Sequence, residues 1–189
     1  MASLKRNVYT VAVVGDAGVG KTCLINKLCY GSIPSYYEPT IEDLHTAIVM
    51  TEKLEIIDTS SEQMATPFRR AAFQQCHAVV FVYDIQNLES TFSLDWQLDE
   101  LRSVYQWQDV SQLPVVCLVV GLKKHVGPSD EHAVFRGERF AHVWGMEHVT
   151  ATLQSTMSVR GVFEKCVFLI EEKAANQHKE TKTSCCTIL

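Results

Sequence analysis

Residues Gly15-Asp16-Ala17-Gly18-Val19-Gly20-Lys21-Thr22 make a complete G-x-x-x-x-G-K-[ST] segment between an apolar β-rich run, Val8–Val14, and a helical start, Cys23–Leu28. The strand–loop–helix order turns a pattern into a site. Glycines let successive backbone N–H groups turn inward around a phosphate, and the helix N-terminus adds partial positive charge. Lys21 is placed to reach terminal phosphates, and the Thr22 hydroxyl to ligate Mg²⁺. A Gly-rich turn that merely joins a strand to a helix does not require Lys-Thr at its end. The loop reads as a phosphate cradle.

The rest of the chain alternates in the same way. Thr46–Met50 and Leu54–Ile57 read as two strands joined by a tight polar turn at Thr51–Lys53. Ala78–Tyr83 and Val115–Val120 are near-continuous apolar runs, as expected of buried strands, and His148–Thr150 is a shorter one. Between them, Ser90–Tyr105 carries apolar residues at roughly helical spacing. Another helix starts at Ser129-Asp130-Glu131 and ends near Gly145, and a further one runs from Ser158 to about Ala175. The pattern predicts an α/β fold: a single P-loop domain over 1–175, its mostly parallel central sheet flanked by helices. From Asn176 to Leu189 the chain is polar and reads as a flexible tail.

Lys and Arg total 17 against 22 Asp and Glu, and the net charge of −5 argues against nucleic acid as a partner. The seven cysteines lie mostly in apolar runs without paired CxxC units, which suits core packing in a reducing cytosol. No run approaches the roughly 18 apolar residues of a membrane span.

A phosphate loop alone leaves kinases, ATPases and GTPases open. Two further segments narrow the choice: Tyr37-Glu38-Pro39-Thr40-Ile41-Glu42-Asp43 after the first helix, and Asp58-Thr59-Ser60-Ser61-Glu62-Gln63 directly after the Leu54–Ile57 strand. With Asn87–Phe92 and Val162–Lys165, these resemble the Ras-like small GTPases over roughly Val8 to Ile170. The resemblance implies a G domain that binds Mg²⁺ and GTP or GDP. Thr22 and Thr40 would ligate the metal and Asp58 would act through a water. Residues Gly15 to Thr22, Thr40 and Ser61 would hold the nucleotide's phosphates. Loops 36–43 and 60–73 would order around a γ-phosphate and meet effector proteins.

Three places depart from the family. Its Asn-Lys-x-Asp motif, whose Asp accepts hydrogen bonds from guanine, is replaced by Leu122-Lys123-Lys124-His125, leaving Lys123 as the base-side contact. The supporting Ser-Ala-Lys motif is replaced by Ala151-Thr152-Leu153. Losing a charge-assisted two-pronged contact costs on the order of 3–5 kcal/mol, so guanine selection suffers more than phosphate binding. At the hydrolytic position, Ser61-Glu62 stands where the family has Gly-Gln. Glu62, in place of the water-orienting Gln, puts negative charge beside the γ-phosphate, which predicts very slow hydrolysis even though Lys21 is kept. Ala17, milder, replaces a loop Gly found in Ras itself and weakly favours resistance to an arginine finger supplied by a partner.

The chain ends Cys185-Cys186-Thr187-Ile188-Leu189. Cys186-Thr187-Ile188-Leu189 fits C-a-a-X, with Leu189 favouring geranylgeranyl, and Cys185 is a palmitoylation candidate for the second membrane signal. The competing reading is a free carboxyl-terminal peptide for a PDZ-type groove. The histidines show no metal-ligand spacing, Trp96, Trp107 and Trp144 read as packing groups, and Arg69 and Arg70 read as solvated surface charges. Together these features predict an atypical small GTPase lipid-anchored at the cytoplasmic face of a membrane, weak in base selection and slow in hydrolysis. The alternative is a pseudo-GTPase, an interaction scaffold that binds little or no nucleotide.

Overall fold

The computed structural model describes residues 7–33, 42–62, 65–107 and 110–185. Six strands form one sheet: β1 (Val8–Gly15), β2 (Glu42–Val49), β3 (Glu52–Thr59), β4 (Ala78–Asp84), β5 (Val116–Lys123) and β6 (Glu147–Thr152). Their order is β2-β3-β1-β4-β5-β6, and only the β2–β3 pair is antiparallel. Helices α1 (Lys21–Tyr30), α2 (Thr66–Gln75), α3 (Ser93–Tyr105), α4 (Glu131–Val143) and α5 (Thr156–Cys185) connect or follow them. This is the expected α/β architecture.

Burial on both faces explains why the strands read as continuous apolar runs. In β1, Val11 and Val13 enter a core with Leu24, Ile25, Phe163 and Cys166. Ala12 and Val14 face the opposite way, into a core with Phe73, Leu94, Leu98 and Phe140. The first core lies under α1 and α5, the second under α2, α3 and α4. From β1 the chain runs out to the edge strand β2, returns as β3 beside β1, and then crosses to β4 on the other side of β1. The carboxyl end of β1 is therefore the point where the sheet order reverses, the place where α/β sheets open a binding crevice. Gly15 ends β1 there.

Several boundaries differ from the sequence-based expectation. β2 begins at Glu42 rather than Thr46 because it is an edge strand, where charged residues such as Asp43 are tolerated. The hairpin turns at Met50–Thr51, with Met50 at φ 55°, one residue earlier than the polar stretch suggested. The Ser90–Tyr105 helix is two pieces: a 3-10 turn, Leu88–Phe92, capped by the Asn87 side chain on the Glu89 N–H, and then α3. Finally, α5 continues past Ala175 to Cys185, since the Lys-, Glu- and Gln-rich stretch contains no Gly or Pro to stop it. Among the described residues no helix is long and apolar enough to cross a membrane.

α4 packs on the sheet through a glycine. A Cβ on Gly137 would lie 2.3 Å from the Tyr83 ring, which is fully buried and whose hydroxyl meets His148 Nε2 at 3.0 Å. Gly161 in α5 faces open space. Gly137→Ala should therefore destabilise the fold by about 2 kcal/mol through overpacking. Gly161→Ala should stabilise it by about 0.5–1 kcal/mol through helix propensity. Urea unfolding of the two variants checks both signs; equal effects would contradict the packing.

Candidate functional site

The loop after β1 is shaped by backbone that only glycine adopts easily. Gly18 and Gly20 sit at φ 69° and 103°. A Cβ on Gly15 would come within 2.3 Å of the Val82 carbonyl, so the loop leaves β1 pressed against β4. Val19 is buried beneath it. The Asp16 side chain accepts a hydrogen bond from the Ala17 N–H.

Lys21 opens α1 and is only 8% exposed. Its ammonium donates to the Gly15 and Asp16 carbonyls, each at 2.9 Å, so the loop closes over its own lysine. Burial pushes its pKa down from 10.5 to about 8, with Asp58 and Asp16 raising it and Arg69 lowering it further. Beside it, the Thr22 hydroxyl donates to Asp58 Oδ2 at 2.5 Å. Asp58, the last but one residue of β3, is fully buried, and burial raises its pKa despite the Thr22 hydrogen bond and the Lys21 charge. Thr59 then donates to the Val13 carbonyl at 2.8 Å, tying the β3 exit to β1.

A cavity of about 280 Å³ is lined by Ala17, Gly18, Gly20, Lys21, Thr22 and Cys23, by Thr59 to Glu62, and by Lys124 and His125. It brings the loop together with Ser61 and Glu62. Glu62 is exposed, and its N–H bonds the Ser60 hydroxyl. Thr40 and Cys186 lie outside the described residues, as does most of the 36–43 loop. A groove of about 550 Å³ between α5 and the Val110–Val116 segment is larger. It lies at the opposite end of the sheet and contains none of these groups.

The model of the Ras family matches residues 10–172. The chain belongs to the Ras family. It is 27% identical to the GTP-binding protein Di-Ras2 of Pongo abelii over 187 residues, covering 94% of this chain and 89% of that protein. It is 26% identical to the Ras-like protein rasW of Dictyostelium discoideum, covering 97% and 86%. The Ras-like protein rasZ of the same organism is 25% identical over 188 residues. The fold is thus a Ras-like G domain.

Within that frame the lysine that reaches the loop is the second of the pair. Lys124, rather than Lys123, donates to the Gly18 carbonyl at 2.6 Å and pairs with Asp84 at 2.9 Å. Its stem lies against Gly20 beside Leu122, which is fully buried. Lys123 closes β5 opposite Thr152. The signal was present in the sequence: residues two apart share a face of extended chain, and Leu122 points at the loop. His125 is exposed, its backbone N–H held by Gln86 at 3.0 Å. The Lys124 carbonyl accepts from the Gln154 side chain at 2.8 Å. Among the residues lining the cavity the carboxylate is Glu62, which belongs to the segment after β3 and not to the Leu122–His125 stretch.

Arg69 also departs from the sequence reading, which placed it in solvent with Arg70. Arg70 is exposed and bonds Ser103. Arg69 is 2% exposed, because the α2–α3 packing buries it next to a carboxylate, Glu100, that compensates its charge. Cys76, Cys117 and Cys166 are buried free thiols pushed up to about 12, which suits packing rather than reactivity.

The Lys21 shift makes a signed prediction for the nucleotide-free protein. Between pH 8 and 10.5 the unfolded chain keeps a proton on Lys21 that the folded chain has released. This group therefore makes stability rise with pH across that window, by up to about 1.4 kcal/mol per pH unit. Lys21→Met should remove that component, leaving a stability–pH profile flatter or more steeply falling than the wild-type one. Superimposable profiles would contradict a buried ammonium.

Proposed function

We propose that this Ras-family protein is an atypical GTP-binding switch whose phosphate side is complete and whose base selection and hydrolysis are weakened. The observation that carries the reading is Lys21, buried under its own loop carbonyls next to the Thr22–Asp58 contact, in a cavity that also holds Ser61. Buried cationic and hydroxyl groups converging on inward-turned glycine backbone suit a di- or triphosphate. Mg²⁺, when bound, neutralises charge on the phosphate oxygens. Thr22 and Thr40 would hold it directly, with Asp58 acting through a water. Hard-oxygen donors with one carboxylate fit that cation, which takes its remaining ligands from phosphates and water.

At the other end, Lys124 presents its stem to a base while its charge is engaged by Asp84 and the Gly18 carbonyl. Leu122 and His125 supply no anionic acceptor for the guanine N1–H and amine, so discrimination against other purines is reduced. Glu62, exposed at the cavity, opposes charge build-up on the γ-phosphate and slows hydrolysis. Ras-family proteins bind effectors; here the 36–43 segment and the 60–73 segment, which is not all loop as the sequence suggests because α2 begins at Thr66, are the proposed contact. Prenylation of Cys186, with Cys185 as an acylation site, would hold the protein at a cytoplasmic membrane face. The buried Leu122 favours the second reading, a pseudo-GTPase scaffold, only to the extent that base contacts dominate affinity.

Titration calorimetry with Mg–GTP and Mg–ATP separates the readings. Both nucleotides should bind, with GTP preferred by less than about a hundredfold, and Lys21→Asn should abolish both. Failure of both nucleotides to bind the wild-type protein would leave the scaffold. For the anchor, Cys186→Ser should move the cellular protein from the membrane to the soluble fraction; an unchanged distribution would remove the prenylation reading.

A further inference from the structure

Arg69 makes contacts that the phosphate site does not account for. Its Nη1 donates to the Ser60 carbonyl and to the Glu62 carbonyl, each at 2.8 Å. Its Nη2 donates to the Thr66 hydroxyl at 2.9 Å, and its Nε to Glu100 Oε2 at 3.1 Å. The guanidinium also stacks over Trp96, 5.2 Å from the ring centroid. Glu100 and Trp96 both belong to α3, and Glu100 is itself largely buried. One side chain thus ties the segment after β3 to the first turn of α2 and to α3.

The two loop carbonyls matter because a peptide unit is planar. No cis bond occurs among the described residues. In a trans peptide the N–H points opposite the preceding C=O, so fixing the Ser60 carbonyl on Arg69 turns the Ser61 N–H away from Arg69. Ser61 lines the phosphate cavity. In the family a Gly at this place supplies an N–H to the γ-phosphate. Ser61 keeps the donor but lacks the free rotation of glycine, so the orientation of its peptide has to be set from outside.

We propose that Arg69 is a positioning residue that sets the Ser60–Ser61 peptide for a γ-phosphate and is itself fixed from α3 by Glu100 and Trp96. The inference rests on the nucleotide-binding reading above and adds a specific consequence. Loss of the clamp weakens triphosphate binding and spares diphosphate binding, because only the triphosphate meets the Ser61 N–H. Arg is required because a lysine ammonium, a single point donor, cannot span two carbonyls, a hydroxyl and a carboxylate at once.

The test measures binding of Mg–GDP and of Mg–guanylyl imidodiphosphate to wild type, Arg69→Lys, Glu100→Ala and Glu100→Gln, with amide hydrogen exchange of Ser60–Glu62 in nucleotide-free protein. Arg69→Lys should lower the triphosphate-to-diphosphate affinity ratio about tenfold, the loss expected for one well-aimed hydrogen bond to a charged group. Glu100→Ala, which releases the guanidinium from α3 without touching the loop, should act in the same direction and serves if Arg69→Lys does not fold. Glu100→Gln keeps an acceptor for Nε–H and should stay within about threefold of wild type. Exchange at Ser61 and Glu62 should accelerate in the first two variants only. Intact binding with an unchanged ratio in Arg69→Lys and Glu100→Ala would overturn the clamp and leave the function standing. Binding of neither nucleotide to wild type would overturn the function and the proposed role together.

Discussion

An ammonium buried at the carboxyl edge of a parallel sheet is expensive, and the arrangement of the site follows from offsetting that cost. Lys21 loses its water and regains partners only because the Gly15 and Asp16 carbonyls turn back onto it. That turn requires a loop pressed against β4 at Gly15, with left-handed backbone at Gly18 and Gly20. The loop in turn requires β1 to lie between β3 and β4, where the sheet order reverses. Asp58, brought alongside by the β1–β3 pairing, adds the neighbouring negative charge. The fold, the loop and the charge pair form one construction around a single side chain.

Much of this was legible in sequence because burial on both sheet faces leaves a strong mark. The β1, β4 and β5 runs are apolar throughout, and the phosphate loop carries a fixed spacing. The edge strand β2 was only partly visible, since an edge tolerates charges that resemble a loop. Lys124 was obscured by its neighbour Lys123: an Asn-Lys-x-Asp frame laid over Leu-Lys-Lys-His selects the first lysine, whereas strand alternation selects the second. Arg69 was misread for a different reason. Its burial depends on Glu100 and Trp96, some thirty residues away on α3, and no local pattern reports a long-range ion pair. The extension of α5 came from ordinary helix-forming residues mistaken for a polar tail.

The two ends of the crevice differ in chemistry. The loop end has buried charge, left-handed glycines and a hydroxyl–carboxylate contact packed together. The base end depends on side chains at the surface of the sheet, Leu122 excepted, and can change without cost to the core. His125 is exposed, and Gln86 and Gln154 hold the surrounding backbone whatever lies at position 125. A chain can therefore lose guanine readout while keeping its phosphate cradle, and Lys124 still closes the loop through Gly18.

The most direct test of this division is mass spectrometry of the nucleotide released when the purified protein is gently denatured. The account predicts a bound nucleoside di- or triphosphate, carrying guanine enriched over adenine by less than a selective GTPase would show. A site that is empty on isolation and takes up neither Mg–GTP nor Mg–ATP afterwards would contradict it, and would leave the buried lysine as a structural remnant of the fold.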